Sequence, residues 1–107
     1  ETLAHLFFTC TFSQWCWRFL HIRWDLSQVG VDMIIAARRD FNSRIFREIL
    51  MVACWAIWKH RNEVIFDGVP LSLGRWKSIF REEFSIILHR AKPYLKLELE
   101  TWFCNFR

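Results

Sequence analysis

The sequence predicts an all-α protein, a compact helical bundle of five to six helices with one long central helix. Three observations lead there. Helix-breaking residues are confined to Gly30, Gly68, Gly74, Pro70 and Pro93 in a chain of 107 residues. Apolar residues of the second half recur at three- and four-residue intervals. No segment sustains the two-residue alternation of a half-buried strand. At 53% apolar residues, with seven Trp and eleven Phe, the chain has enough apolar mass for a single helical domain over 1–107.

The elements follow from their breaks and caps. A short helix is expected over Thr2 to Phe8, and a second over Phe12 to Ile22 behind a Thr11 or Ser13 cap. A third is expected over Gln28 to Arg38 behind Ser27, following the polar joint near Asp25. After the joint near Asp40, the long helix runs from Ser43 to Phe66 behind Asn42. The Gly68 to Pro70 break stops it. The next helix covers Ser72 to Lys92, and Pro93 separates it from a last one over Tyr94 to Phe103.

Two segments locate the core. Leu73, Trp76, Phe80, Phe84, Ile87 and Ala91 step by three or four residues, one face of a core-facing amphipathic helix, opposite Lys77, Arg81, Glu82, Ser85 and His89. Ile49 to Trp58 is apolar all round, too short to span a bilayer, and expected to be contacted on every side. So many rings are hard to hide in so small a body. A homo-oligomer is therefore expected, built on the helices carrying Trp55, Trp58, Trp76, Phe80 and Phe84, together with a protein partner.

Charge and cysteine usage set limits on class. The formal charge is +4 and the pI near 9.2, which permits nucleic acid or an anionic membrane as a partner. The basic residues alternate with acids and form no run of five. Cys10, Cys16, Cys54 and Cys104 contain no Cys-x-x-Cys pair and fall partly inside helical segments, which favours reduced thiols and an intracellular setting, nucleus or cytoplasm. The chain begins with Glu1, so an upstream targeting segment stays open.

Two stretches carry a family resemblance. ETLAHLFFTCTFSQWCWRFL (Glu1 to Leu20) resembles the Glu-x-x-x-His-Leu-Phe-x-x-Cys-x-Phe-x-x-x-x-Trp pattern of the region C-terminal to the polymerase in plant non-LTR (LINE-type) retrotransposon reverse transcriptases, often called the reverse-transcriptase zinc-binding domain. AIWKHRNEVIFDG (Ala56 to Gly68) is similar to that region's Ile-Trp-Lys-x-Arg-Asn-x-x-Ile-Phe-x-Gly signature. The motifs cover about a third of the chain and bracket more than half of it. From Pro70 onward the likeness lies only in helicity.

The resemblance implies that the family's counterparts of His5 and Cys10 join an upstream Cys-x-x-Cys to hold zinc. That pair is absent from this sequence, and two ligands bind too weakly to organise a fold. Cys16 and His21 extend the set to four, but five-residue steps along a helix turn side chains to different faces. The expectation is therefore no metal and no cofactor, with His5, Cys10, Cys16 and His21 as the weak zinc candidates.

The polymerase and nuclease of such elements lie outside this region, so the resemblance brings no catalytic centre. The residues suggest none of their own: the acids are scattered, no Gly-rich phosphate loop exists, and Cys54 and His60 lie six residues apart on one helix. A non-enzyme is expected. Lys59, Arg61 and Asn62 are the candidate nucleic-acid contacts. Their alternative use is structural, with Arg61 and Asn62 tying the end of the long helix to a neighbour while Trp58 packs inside the bundle.

Three function classes follow in order. The first is a retroelement-derived, non-catalytic helical module acting by protein–protein interaction, self-association included, as a domesticated regulatory or toxic small protein. The second is a nucleic-acid-binding accessory region of a retrotransposon reverse transcriptase. It ranks lower because single-strand binders join stacking rings to a continuous basic groove. The third is a basic, aromatic helical protein lying on a membrane surface.

Overall fold

The computed structural model describes residues 5–28 and 30–106, and these form an all-α protein. A π-helical turn, His5–Thr9, precedes α1 (Thr11–Phe19), α2 (Val31–Phe41), α3 (Phe46–Asp67), α4 (Leu73–Arg90) and α5 (Pro93–Cys104). No strand occurs among the described residues. Residues 2–4 of the expected first helix lie outside them. The chain clusters into two compact units, Glu1–Phe46 and Arg47–Arg107. Among the described residues, no helix is long and apolar enough to cross a membrane.

In the first unit the observed caps displace the expected boundaries. Neither Thr11 nor Ser13 caps α1: the N-cap is Cys10, whose side chain makes no capping hydrogen bond, and buried Ser13 donates its hydroxyl to the Leu6 carbonyl instead. The helix stops at Phe19, short of the expected Ile22, because His21 adopts a left-handed conformation at φ 60°. Its N–H then reaches the Arg18 carbonyl at 3.0 Å and the Ile22 N–H reaches the Trp17 carbonyl at 3.0 Å. This double closure is the Schellman motif, in which an apolar residue beyond the turn packs back on the helix. Ile22 and Trp17 are both buried.

Ser27 does not start α2. Its N–H and hydroxyl donate to Asp25 Oδ1 at 3.0 and 2.5 Å, and the Gln28 N–H reaches the Asp25 carbonyl at 3.1 Å. These bonds commit the segment to an Asx turn. α2 begins instead after Gly30, whose φ of 57° and ψ of −130° suit only glycine. Asn42, expected to open the long helix, closes α2 in the left-handed region, its N–H on the Arg38 carbonyl at 3.0 Å. The chain then turns through Ser43, whose hydroxyl accepts from the Ile45 N–H at 3.3 Å, and α3 starts at Phe46.

The rings of this unit meet around Trp24. It lies edge-on to Phe8 at 5.0 Å and to Trp17 at 5.3 Å, with Phe46 at 6.4 Å. The Trp17 indole N–H is satisfied by the Phe7 carbonyl at 2.6 Å.

The second unit follows its sequence pattern closely. Ser72 caps α4, its hydroxyl accepting from the Arg75 N–H at 3.2 Å, and Pro93 opens α5 at its first position, where no N–H is needed. Trp76, Phe80 and Phe84 of the expected stripe are fully buried. Phe80 stacks on Phe106 at 4.6 Å and Phe84 on Phe103 at 4.8 Å, while the Trp76 indole N–H reaches the Ala53 carbonyl at 3.4 Å. The core of this unit is therefore an aromatic seam, where offset ring contacts add to the area buried.

Candidate functional site

α3 carries two faces of different character. Ile49, Val52, Ala53, Ala56, Ile57 and His60 are buried, and at about 100° per residue they share one side of the helix. The opposite side carries Met51, Trp55, Trp58, Ile65 and Phe66, exposed to 57%, 45%, 43%, 65% and 78%. The Ile49 to Trp58 segment is therefore not contacted on every side. Trp58 in particular does not pack inside the bundle: it stacks on Trp55 at the surface, centroids 5.2 Å apart. A run of apolar residues all round a helix records no direction, so the sequence could not tell which side stays open.

Five aromatic residues were expected to form one interface, but the structure separates them. Trp76, Phe80 and Phe84 fill the core of the second unit with no exposed surface, whereas Trp55 and Trp58 remain outside. The expected set thus splits into three core residues and an exposed pair, which Met51, Ile65 and Phe66 extend. Their shared spacing with Trp55 and Trp58 was the sequence signal for these additions.

The end of α3 is fixed by a polar network that sequence reasoning missed. His60 is fully buried. Its Nε2 accepts from the Ser72 N–H at 2.9 Å, which leaves the ring hydrogen on Nδ1 to meet Glu63 Oε1 at 3.1 Å. Glu63 in turn takes a bidentate grip from Arg75, 3.0 Å from Nε to Oε1 and 2.6 Å from Nη2 to Oε2. That guanidinium, with help from His60, holds the Glu63 carboxyl far below its usual range, at about 2. His60 continues the Ile49, Ala53, Ala56 line at steps of four, three and four, so it is buried with the side of α3 that the structure turns inward.

A histidine beside a carboxylate resembles a catalytic pair, but here both ring nitrogens are taken by protein and no ring atom is exposed. The arrangement is a clamp between α3 and the first turn of α4. Expected to make that tie, Arg61 and Asn62 lie half-buried beside it. Lys59 lies 3.9 Å from Glu83.

The zinc candidates occupy unlike places in the first unit. His5 is exposed, its Nδ1 3.0 Å from the Thr9 hydroxyl; Cys10 is half-buried; Cys16 is fully buried; and His21 is the exposed left-handed residue just past the Leu20 C-cap of α1. Among the described residues, no group of three or more His, Cys, Asp or Glu gathers to hold a metal. Burial drives the Cys16 thiol far up and pushes Cys54 up to about 12, so both are protonated at neutral pH and poor as nucleophiles or ligands. No family model, curated protein or solved structure matches the chain.

Proposed function

We propose that the protein is a non-catalytic helical module that acts by protein–protein interaction, self-association included, through the outward face of α3. The observation that carries this reading is the stacked pair of Trp55 and Trp58, each more than two-fifths exposed on a face that Met51, Ile65 and Phe66 continue. Exposed apolar surface of that extent costs solvation unless a partner covers it, and tryptophan is the residue most enriched at binding hot spots. Its descent from the C-terminal region of a plant retrotransposon reverse transcriptase is part of the proposal and rests on the two sequence motifs. A domesticated regulatory or toxic product in the nucleus or cytoplasm is the setting that fits it.

One observation favours nucleic acid as the second reading. Arg38, Arg39 and Arg44 line a shallow surface depression with Asn42 and Ser43, where α2 ends. All three arginines are exposed, a more concentrated basic feature than Lys59, Arg61 and Asn62. Arginine also suits the last turn of a helix for its own sake, which is a structural use for the first two.

A binding titration against single-stranded RNA and duplex DNA across salt, run beside light scattering, separates the readings. The proposal expects a mass that rises with protein concentration and nucleic-acid binding no stronger than non-specific. Tight binding with a steep salt slope, lost in Arg38→Ala/Arg39→Ala or in Arg61→Ala with folding intact, would put the second reading first.

A further inference from the structure

We infer that α3 pairs with α3 of a second copy in parallel and in register, with Asn62 facing Asn62; this rests on reading the outward face of α3 as an association surface. Met51, Trp55, Trp58, Asn62 and Ile65 step by four, three, four and three residues. That is the heptad rhythm of a two-stranded helical seam, with Trp55 and Asn62 at a positions and Met51, Trp58 and Ile65 at d positions. The seam lies opposite the buried side of α3, so a partner can reach it without disturbing the core of the second unit.

Asn62 selects the occupant. Covered by an apolar partner, its amide would lose water and gain nothing. A second copy in register presents the same amide, and because each carries both a donor and an acceptor, the two bond reciprocally. A lone asparagine at an a position is a known device for fixing register and strand number in paired helices. An antiparallel pairing that used the whole seam would set Asn62 against Met51 or Trp55 and leave the amide unpaired. The exposed parts of the seam and the adjacent Phe66 offer on the order of 500 Å² per copy, so the pair buries about 1,000 Å², the lower limit of a specific interface. The association is accordingly reversible and dependent on concentration.

The test introduces single cysteines on the seam, Met51→Cys and Ile65→Cys, in the full chain, with the parent protein and its four cysteines as the baseline. Under mild oxidation in the parallel pair, each variant forms covalent dimers above the parent. An equimolar mixture of the two, one carrying a mass label, forms no excess of mixed product. In Asn62→Leu the seam becomes wholly apolar, and mixed product rises to match the like-with-like product. Mixed product in place of like-with-like product, no cross-link above the parent, or an orientation preference unchanged in Asn62→Leu each overturns the inference. If the parent's mass still rises with concentration while the cross-links come out antiparallel, the pairing inference fails and the association surface stands; a parent that stays a monomer sinks both.

Discussion

The imidazole of His60 accepts the backbone N–H of Ser72 at 2.9 Å, so a buried ring on α3 holds the very residue whose hydroxyl caps α4. His60→Ala removes that acceptor, detaches Glu63 from its second donor and opens a cavity in the core. A loss of about 2 to 4 kcal/mol is expected from the two effects together. Denaturant unfolding, read as a lower midpoint at unchanged slope, measures it.

The Glu63–Arg75 grip predicts an acid limb. The Glu63 carboxyl lies at about 2 in the folded chain against an ordinary 4.5. A depressed acid binds its proton less readily when folded than when unfolded, so its contribution is fully present above pH 4.5 and is lost as pH falls towards 2. Arg75→Met removes the main cause of the depression. Its stability should fall below that of the parent at neutral pH, and the difference should shrink between pH 4.5 and 2, as followed by thermal melts across that window.

His21 is a left-handed residue that carries a side chain it does not need there. At φ 60° its Cβ is strained, and glycine at the same position closes the Schellman turn without that strain. His21→Gly should raise stability by roughly 1 kcal/mol or leave it level after the entropy of the freer chain is counted. A marked loss in a calorimetric melt would show that the histidine ring has another partner.

The fold was legible where sequence periodicity carried a direction. Trp76, Phe80 and Phe84 announced a face, and the structure buries all three; Ser72 was read as a helix start and Pro93 as the break before the last helix, and α4 begins just after Ser72 while α5 takes in Pro93 itself. Boundaries failed where polar residues had more than one use. Ser27 serves an Asx turn, Ser13 bonds the preceding π-helical turn, and Asn42 takes the left-handed end of α2 in place of the start of α3. The candidate site was half legible. Trp55 and Trp58 were singled out as interface residues, but the uniform hydrophobicity around them hid which side of α3 stays open. The clamp of His60, Glu63 and Arg75 depends on two helices meeting, and spacing within one helix does not encode that.

Two tryptophans on neighbouring helices should therefore fail differently. Trp76→Ala truncates a fully buried ring and should cost ~3 to 5 kcal/mol. Trp58→Ala removes a ring already 43% exposed, and a cost below ~2 kcal/mol is expected, since only part of its area leaves an apolar surrounding. Thermal melts of the two variants side by side check the contrast.

The central claim, that the outward face of α3 is an association surface, is met most directly by the mass of the protein in solution. Multi-angle light scattering from micromolar to several hundred micromolar should show the parent rising from the 13.1 kDa of one chain towards twice that value. The double variant Trp55→Ser/Trp58→Ser should stay at one chain, with its helical circular dichroism intact. A parent fixed at 13.1 kDa over the whole range, or a double variant that associates as the parent does, would contradict the account.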